Sequence, residues 1–139
     1  MKLSETTKEV IALAEAIRDY WDTELPKRHP DYPFVHPGED SGPPPPEEAK
    51  LKELLARQSE DVIYKLAMIM SLGQGYYGTD DLADRFQEMK DKYGTPDWAI
   101  TMMMGHAALA DYLKDGLDEL NKNGIDVDHL TFMPVHSGS

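Results

Sequence analysis

An apolar stretch at residues 62–72 constrains the fold of this 139-residue chain more than any other feature. Its apolar residues surround the axis of a helical wheel, and only Tyr64, Lys65 and Ser71 interrupt them. A helix that is apolar on all sides has to be enclosed by other elements. Ser59 provides a start for this helix, and Gly73 is the expected left-handed residue at its end. The pattern predicts a central helix around which the remaining chain packs.

Five further segments carry apolar residues on one side only, at the 3.6-residue spacing of an amphipathic helix. The signals for the starts of these helices are Ser4 or Thr6 for the first, Pro46 for the second, residues 79–81 for the fourth, Thr95 for the fifth and Ala107 for the sixth. The signals for their ends are Pro26 for the first helix, Gly94 for the fourth, and Asn123 with Gly124 for the sixth. No segment shows the two-residue alternation of a strand. We therefore predict an all-α fold, a compact bundle of five to six helices that forms a single domain over residues 1–139.

Residues 26–46 join the first two predicted helices and contain eight of the ten prolines. Each proline removes an amide donor and biases the preceding residue away from helix. We expect an irregular, extended connection here. The last residues, 134–139, show little pattern and are expected to fray.

The composition excludes several classes of function. The chain has no cysteine, so disulfides, thiolate nucleophiles, cysteine-type zinc sites and cysteine-ligated iron–sulfur clusters are ruled out. With 26 acidic and 14 basic residues the formal charge is −12, which disfavours direct binding to nucleic acids. No apolar stretch is long enough to span a bilayer, and we expect a cytoplasmic protein without a membrane partner.

Several short motifs occur in a characteristic order along the chain. They are Leu3 and Ser4 with the following threonines, Ser-Glu-Asp at residues 59–61, Leu-Gly-Gln-Gly-Tyr-Tyr at residues 72–77 and Asp-Tyr-Leu-Lys-Asp-Gly-Leu at residues 111–117. In this order they resemble a bacterial family known as domain of unknown function 3775, over roughly residues 3–130. This chain has Gln74 and Tyr76 where the family often has Arg and Asp. The resemblance implies a small acidic helical protein and brings no activity with it.

Two motifs suggest ligands but lie in the wrong context. Residues 73–78 match the dinucleotide pattern G-x-G-x-x-G, which requires a preceding strand, whereas a helix precedes it here. The motif is therefore interpreted as a connection between helices. Histidines and carboxylates also cluster in the proline-rich connection, at His29, Asp31, His36, Glu39 and Asp40. Their spacing fits no known ligand pattern, so we expect neither a metal nor a cofactor.

A third group of residues lies around the fifth predicted helix. Met102, Met103 and Met104 cannot all face one core because successive helical residues are about 100° apart, so at least one is exposed or meets a second surface. His106 could carry protons if Asp111 were its partner, but the sequence provides no nucleophile beside it. No catalytic residue is therefore assigned; a non-catalytic role is favoured, and enzymatic activity stays open as an alternative.

These observations leave three hypotheses open. The first is a non-catalytic interaction or regulatory module that binds a protein partner or self-associates through the methionines or the acidic last helix. The second is a small-molecule-binding protein or enzyme with a pocket near Tyr76, Tyr77, Trp98 and His106. The third is an acidic inhibitor or DNA mimic using the last helix. An exposed apolar patch would favour the first hypothesis, and a hydrogen bond between His106 and a carboxylate beside a cavity would favour the second.

Overall fold

The computed structural model describes residues 2–28, 44–76, 78–80 and 82–130. These residues form six α-helices and one short 3-10 helix, and no strand occurs among them. The helices are α1 (Leu3–Arg28), α2 (Pro46–Ala56), α3 (Glu60–Gln74), α4 (Leu82–Tyr93), α5 (Pro96–Met104) and α6 (Leu109–Lys122), followed by the 3-10 helix η1 (Val127–His129). The predicted all-α bundle is confirmed. None of the described helices combines the length and the apolar character needed to cross a bilayer.

Helix α3 is the central helix, as the sequence predicts. It packs against α4, α5 and α6, while α1 packs against α2 and α6. Eight of its residues are buried, namely Ile63, Tyr64, Leu66, Ala67, Met68, Ile69, Met70 and Leu72. Ser59 caps its start by accepting a hydrogen bond from the Val62 amide at 3.3 Å, and Thr95 caps α5 in the same way through the Trp98 amide.

Two glycines let α3 and α6 approach each other closely. A Cβ atom on Gly73 would lie 1.8 Å from the carbonyl oxygen of Tyr112, and one on Gly116 would lie 2.0 Å from that of Ile69. Any side chain at either position would therefore push the two helices apart. The predicted role of Gly73 as the left-handed end of α3 is wrong, because Gly73 is helical and Gly75 has the positive φ of 81°.

The end of α1 also differs from the prediction. The sequence predicts that Pro26 ends this helix, but α1 continues to Arg28. Pro26 lies in the last turn of α1, so the one amide donor that it lacks interrupts the hydrogen bonding only near the end of the helix. One lost donor in the last turn is therefore compatible with helix. The connection predicted at residues 26–46 thus begins inside α1, and its residues 29–43 lie outside the described part of the chain.

The start of α1 is stabilised by a residue from the other end of the chain. Ser4 and Thr6 were predicted as caps, but both lie inside the helix. Instead, the carboxylate of Asp128 in η1 accepts hydrogen bonds from the Ser4 amide and the Ser4 hydroxyl, both at 2.8 Å. Asp128 is thus a tertiary cap for the first turn of α1.

Candidate functional site

The corner between α5 and α6 lies between two clefts. The chain turns there because the His106 amide donates to the carbonyl of Met103 and the Leu109 amide donates to the carbonyl of His106. Gly105 and His106 consequently separate the two helices, as the sequence predicts. The half-buried His106 side chain lines both clefts, one on each side of the corner.

The first cleft, here called the α3–α5 cleft, lies between the end of α3, α4 and α5. It has a volume of about 410 Å³. Its apolar walls are formed by Met70, Tyr76, Met89, Tyr93 and Met102, and its polar rim includes Arg85, Glu88 and Lys92. Burial, and secondarily the proximity of Tyr76, raises the pKa of Tyr93 above its ordinary value. Tyr93 is therefore a neutral wall of this cleft.

The second cleft, here called the α1–α2 cleft, lies where α1 and α2 meet the α5–α6 corner. Its volume is about 360 Å³. Its apolar walls are formed by Ala14, Ile17, Trp21, Leu51, Met104 and Leu109, and its polar rim by Arg18, Asp22, Glu48 and His106. Sequence reasoning missed this cleft because its residues come from helices far apart in the chain. A signal was present in α1, where Trp21 lies on the apolar stripe with Arg18 and Asp22 close by.

The predicted site residues occupy different environments. Tyr76 is 75% exposed, Trp98 51% and Met102 36%, whereas Met103 is fully buried in the core. Tyr76 and Met102 line the α3–α5 cleft together with His106. The prediction that at least one of the three consecutive methionines is exposed is thus confirmed. Tyr77 lies outside the described residues, so the structure does not place its side chain.

The structure does not join His106 to Asp111. The Asp111 carboxylate instead accepts a hydrogen bond from the Arg18 guanidinium, with 2.7 Å between Nη1 and Oδ2. This bond raises the pKa of Arg18 and ties α1 to α6. The ring of His106 meets the ring of Tyr112 edge to face, with 6.0 Å between centroids. The proton-carrying pair considered from the sequence is therefore absent among the described residues.

Within the described ranges, no group of three or more histidine, aspartate or glutamate side chains is arranged to hold a metal ion. The histidines and carboxylates of the proline-rich connection, from His29 to Asp40, lie outside those ranges.

Comparison with known proteins identifies the family. The profile of the family described as "Protein of unknown function (DUF3775)" matches residues 48–122, which is more than half of the chain. The match runs from α2 to α6 and includes the motifs at residues 59–61, 72–77 and 111–117, while α1 lies outside it. No curated protein and no solved structure matches this chain. The chain therefore belongs to the DUF3775 family, whose function is unknown.

Proposed function

We propose that this protein is a non-catalytic interaction module that binds a protein partner in the α3–α5 cleft. The observation that supports this function is the exposure of large apolar side chains around that cleft. Tyr76 and Met102 line it, and Trp98 lies one helical turn from Met102 on α5. Clustered exposed apolar side chains with a polar rim are typical of protein-binding surfaces, and methionine adapts well to a partner's shape.

The charges at the rim favour a partner segment that combines apolar and acidic residues. Among the described residues at this rim, two side chains are cationic, Arg85 and Lys92, and one is a carboxylate, Glu88, with which Arg85 forms an ion pair at 3.0 Å. Lys92 is exposed and has no ion-pair partner among the described residues. The rim is thus locally positive on a chain whose formal charge is −12. Opposite charge at this rim favours a partner segment that carries acidic residues beside its apolar ones.

A selection of random peptides displayed on phage tests this proposal, with the full chain as bait. We expect enriched peptides in which an aromatic or long aliphatic residue lies close to Asp or Glu. Binding of the synthetic peptides should weaken by about tenfold in Met102→Ser and in Lys92→Glu, because each change removes a group that lines the cleft. Circular dichroism of each variant checks that it is folded.

The matched control is Lys50→Glu, which makes the same change of charge at an exposed lysine of α2 away from the cleft. It should leave peptide binding unchanged. Failure to enrich any peptide, or equal binding to all three variants and the wild type, would overturn the proposal. Light scattering after size-exclusion chromatography tests for self-association. If the wild type forms a dimer and Met102→Ser dissociates it, the cleft binds a second copy of the chain and not a different partner.

The proposal includes a cytoplasmic location. A chain without cysteine gains no stability from the disulfides that an oxidising compartment permits. Fractionation of cells that express the protein at its native level, with detection of the chain in each fraction, tests this location.

A further inference from the structure

We propose that the α1–α2 cleft binds a small organic cation, an ammonium group attached to an apolar or aromatic body. This site is separate from the partner cleft and does not depend on the function proposed above. Three features of the cleft point to such a ligand: its apolar walls, two carboxylates at its rim and an indole ring that also lines it.

The size and walls of the cleft suit a small molecule. Its volume of about 360 Å³ lies within the usual range for ligand sites, and such sites are mostly apolar with a few polar groups. Ile17 and Trp21 of α1 face Leu51 of α2 and Met104 of α5 across this space. Apolar groups from three helices therefore line one concavity that a compact hydrocarbon body can fill.

The charge at the rim selects a cation. The side-chain carboxylates of Asp22 and Glu48 have no hydrogen-bond or ion-pair partner within the described part of the chain. Arg18, the one basic side chain with a permanent charge among the described residues of this rim, is already neutralised by Asp111 at 2.7 Å. Two uncompensated carboxylates thus remain beside an apolar cavity. An ammonium group would gain their attraction, whereas a carboxylate or phosphate would be repelled.

Trp21 adds a second means of recognising a cation. Its half-buried indole lines the cleft, and Tyr20 meets it edge to face at 5.0 Å between ring centroids. Tryptophan is the aromatic side chain that best attracts an ammonium group over its face. Carboxylates on two helices together with this ring constitute an arrangement suited to amine recognition.

The experiment follows the two indole N–H signals of the full chain by ¹H–¹⁵N NMR, assigned with Trp98→Phe. The probes are 2-phenylethylammonium, the neutral 2-phenylethanol and the anionic 3-phenylpropionate. We expect a saturable shift of the Trp21 signal with the ammonium and an affinity about fivefold to tenfold lower for the alcohol. The anion should produce no shift, and Trp98, which does not line the cleft, should remain unperturbed as an internal reference.

Two double variants separate the local carboxylates from overall charge. Asp22→Asn with Glu48→Gln should lower the affinity for 2-phenylethylammonium to that for the alcohol, while the affinity for the alcohol stays unchanged. Asp19→Asn with Glu47→Gln changes two carboxylates of the same helices that do not line the cleft, so it should preserve the preference for the cation.

Three outcomes would overturn the inference. They are the absence of a saturable Trp21 shift with 2-phenylethylammonium, equal affinities for the three probes, and an unchanged cation preference after the Asp22 and Glu48 substitutions. The variants of the partner cleft, Met102→Ser and Lys92→Glu, should retain amine binding. Failure of one proposal therefore leaves the other testable.

Discussion

At the scale of single residues, two glycines give a packing role to two of the sequence motifs of this chain. Gly73 lies in the Leu-Gly-Gln-Gly motif and Gly116 in the Asp-Tyr-Leu-Lys-Asp-Gly-Leu motif. Each faces a backbone carbonyl of the opposite helix, so the two motifs meet at the crossing of α3 and α6. These two glycines therefore serve the packing of the helices, and Gly73, the first glycine of the apparent dinucleotide motif, takes part in that packing.

Gly116→Ala is expected to destabilise the fold by about 2 kcal/mol or more, because the new Cβ would overlap the carbonyl of Ile69 and force the helices apart. Urea unfolding followed by circular dichroism measures this change in the free energy of unfolding. The control is Gly78→Ala, where an added Cβ meets no atom within 4 Å. Equal midpoints for the two variants would show that the helices do not cross as closely as described.

At the scale of elements, the sequence predicts the helices better than the contacts between their ends. Apolar periodicity is a local signal, and it identifies α2 to α6 together with the enclosed position of α3. The cap of α1 comes from Asp128, 124 residues away from Ser4, so no local pattern reveals it. The 3-10 helix η1 was likewise not predicted, although the adjacent Leu130 is buried and its carbonyl accepts a hydrogen bond from Lys65.

The contact between Ser4 and Asp128 is expected to make stability depend on pH. Hydrogen bonds from the Ser4 amide and then from its hydroxyl lower the pKa of Asp128 below its ordinary value. A carboxylate with a lowered pKa stabilises the fold above the unfolded pKa of about 4, and this contribution is lost as the pH falls through the native pKa. The wild type should therefore melt at a higher temperature than Asp128→Asn near neutral pH, and the difference should vanish in acid.

Thermal melts of both proteins between neutral pH and about pH 2 measure this difference, since that range extends well below the ordinary pKa of aspartate and towards the lowered pKa of Asp128. Asp115→Asn, at an exposed aspartate of α6, is the control for the loss of one negative charge. A difference that persists unchanged at the acidic end would contradict the assigned role of the Asp128 carboxylate.

At the scale of the whole molecule, the family match and the packed core have different extents. The match begins at residue 48, yet α1 contributes Val10, Ile11 and Ala14 to the same core as α3 and α6. The single domain proposed for residues 1–139 therefore needs α1, although α1 lies outside the matched region.

Removal of residues 2–44 is expected to abolish cooperative unfolding. The truncation exposes the apolar faces of α2 and α6 that α1 covers. Differential scanning calorimetry of the truncated chain measures the effect. Removal of residues 134–139, which the sequence predicts to fray, is the control and should leave the transition unchanged. A sharp transition without α1 would show that the matched region folds alone.

The candidate site was less predictable than the fold for a geometric reason. The sequence singled out Tyr76, Met102 and His106, which do line one cleft, but it also grouped them with the buried Met103. It considered Asp111 as a partner of His106, whereas Arg18 from another helix forms the hydrogen bond with Asp111. Clefts form between elements, so composition and spacing within one element cannot define them.

His106 forms part of the boundary of both clefts, and this shared position has a thermodynamic consequence. A molecule that displaces the imidazole on one side of the corner alters the shape available on the other side. Binding in the α1–α2 cleft and binding in the α3–α5 cleft would then be linked. Each ligand would change the affinity of the protein for the other ligand by the same factor. A small amine could in this way regulate the capture of a protein partner without touching it.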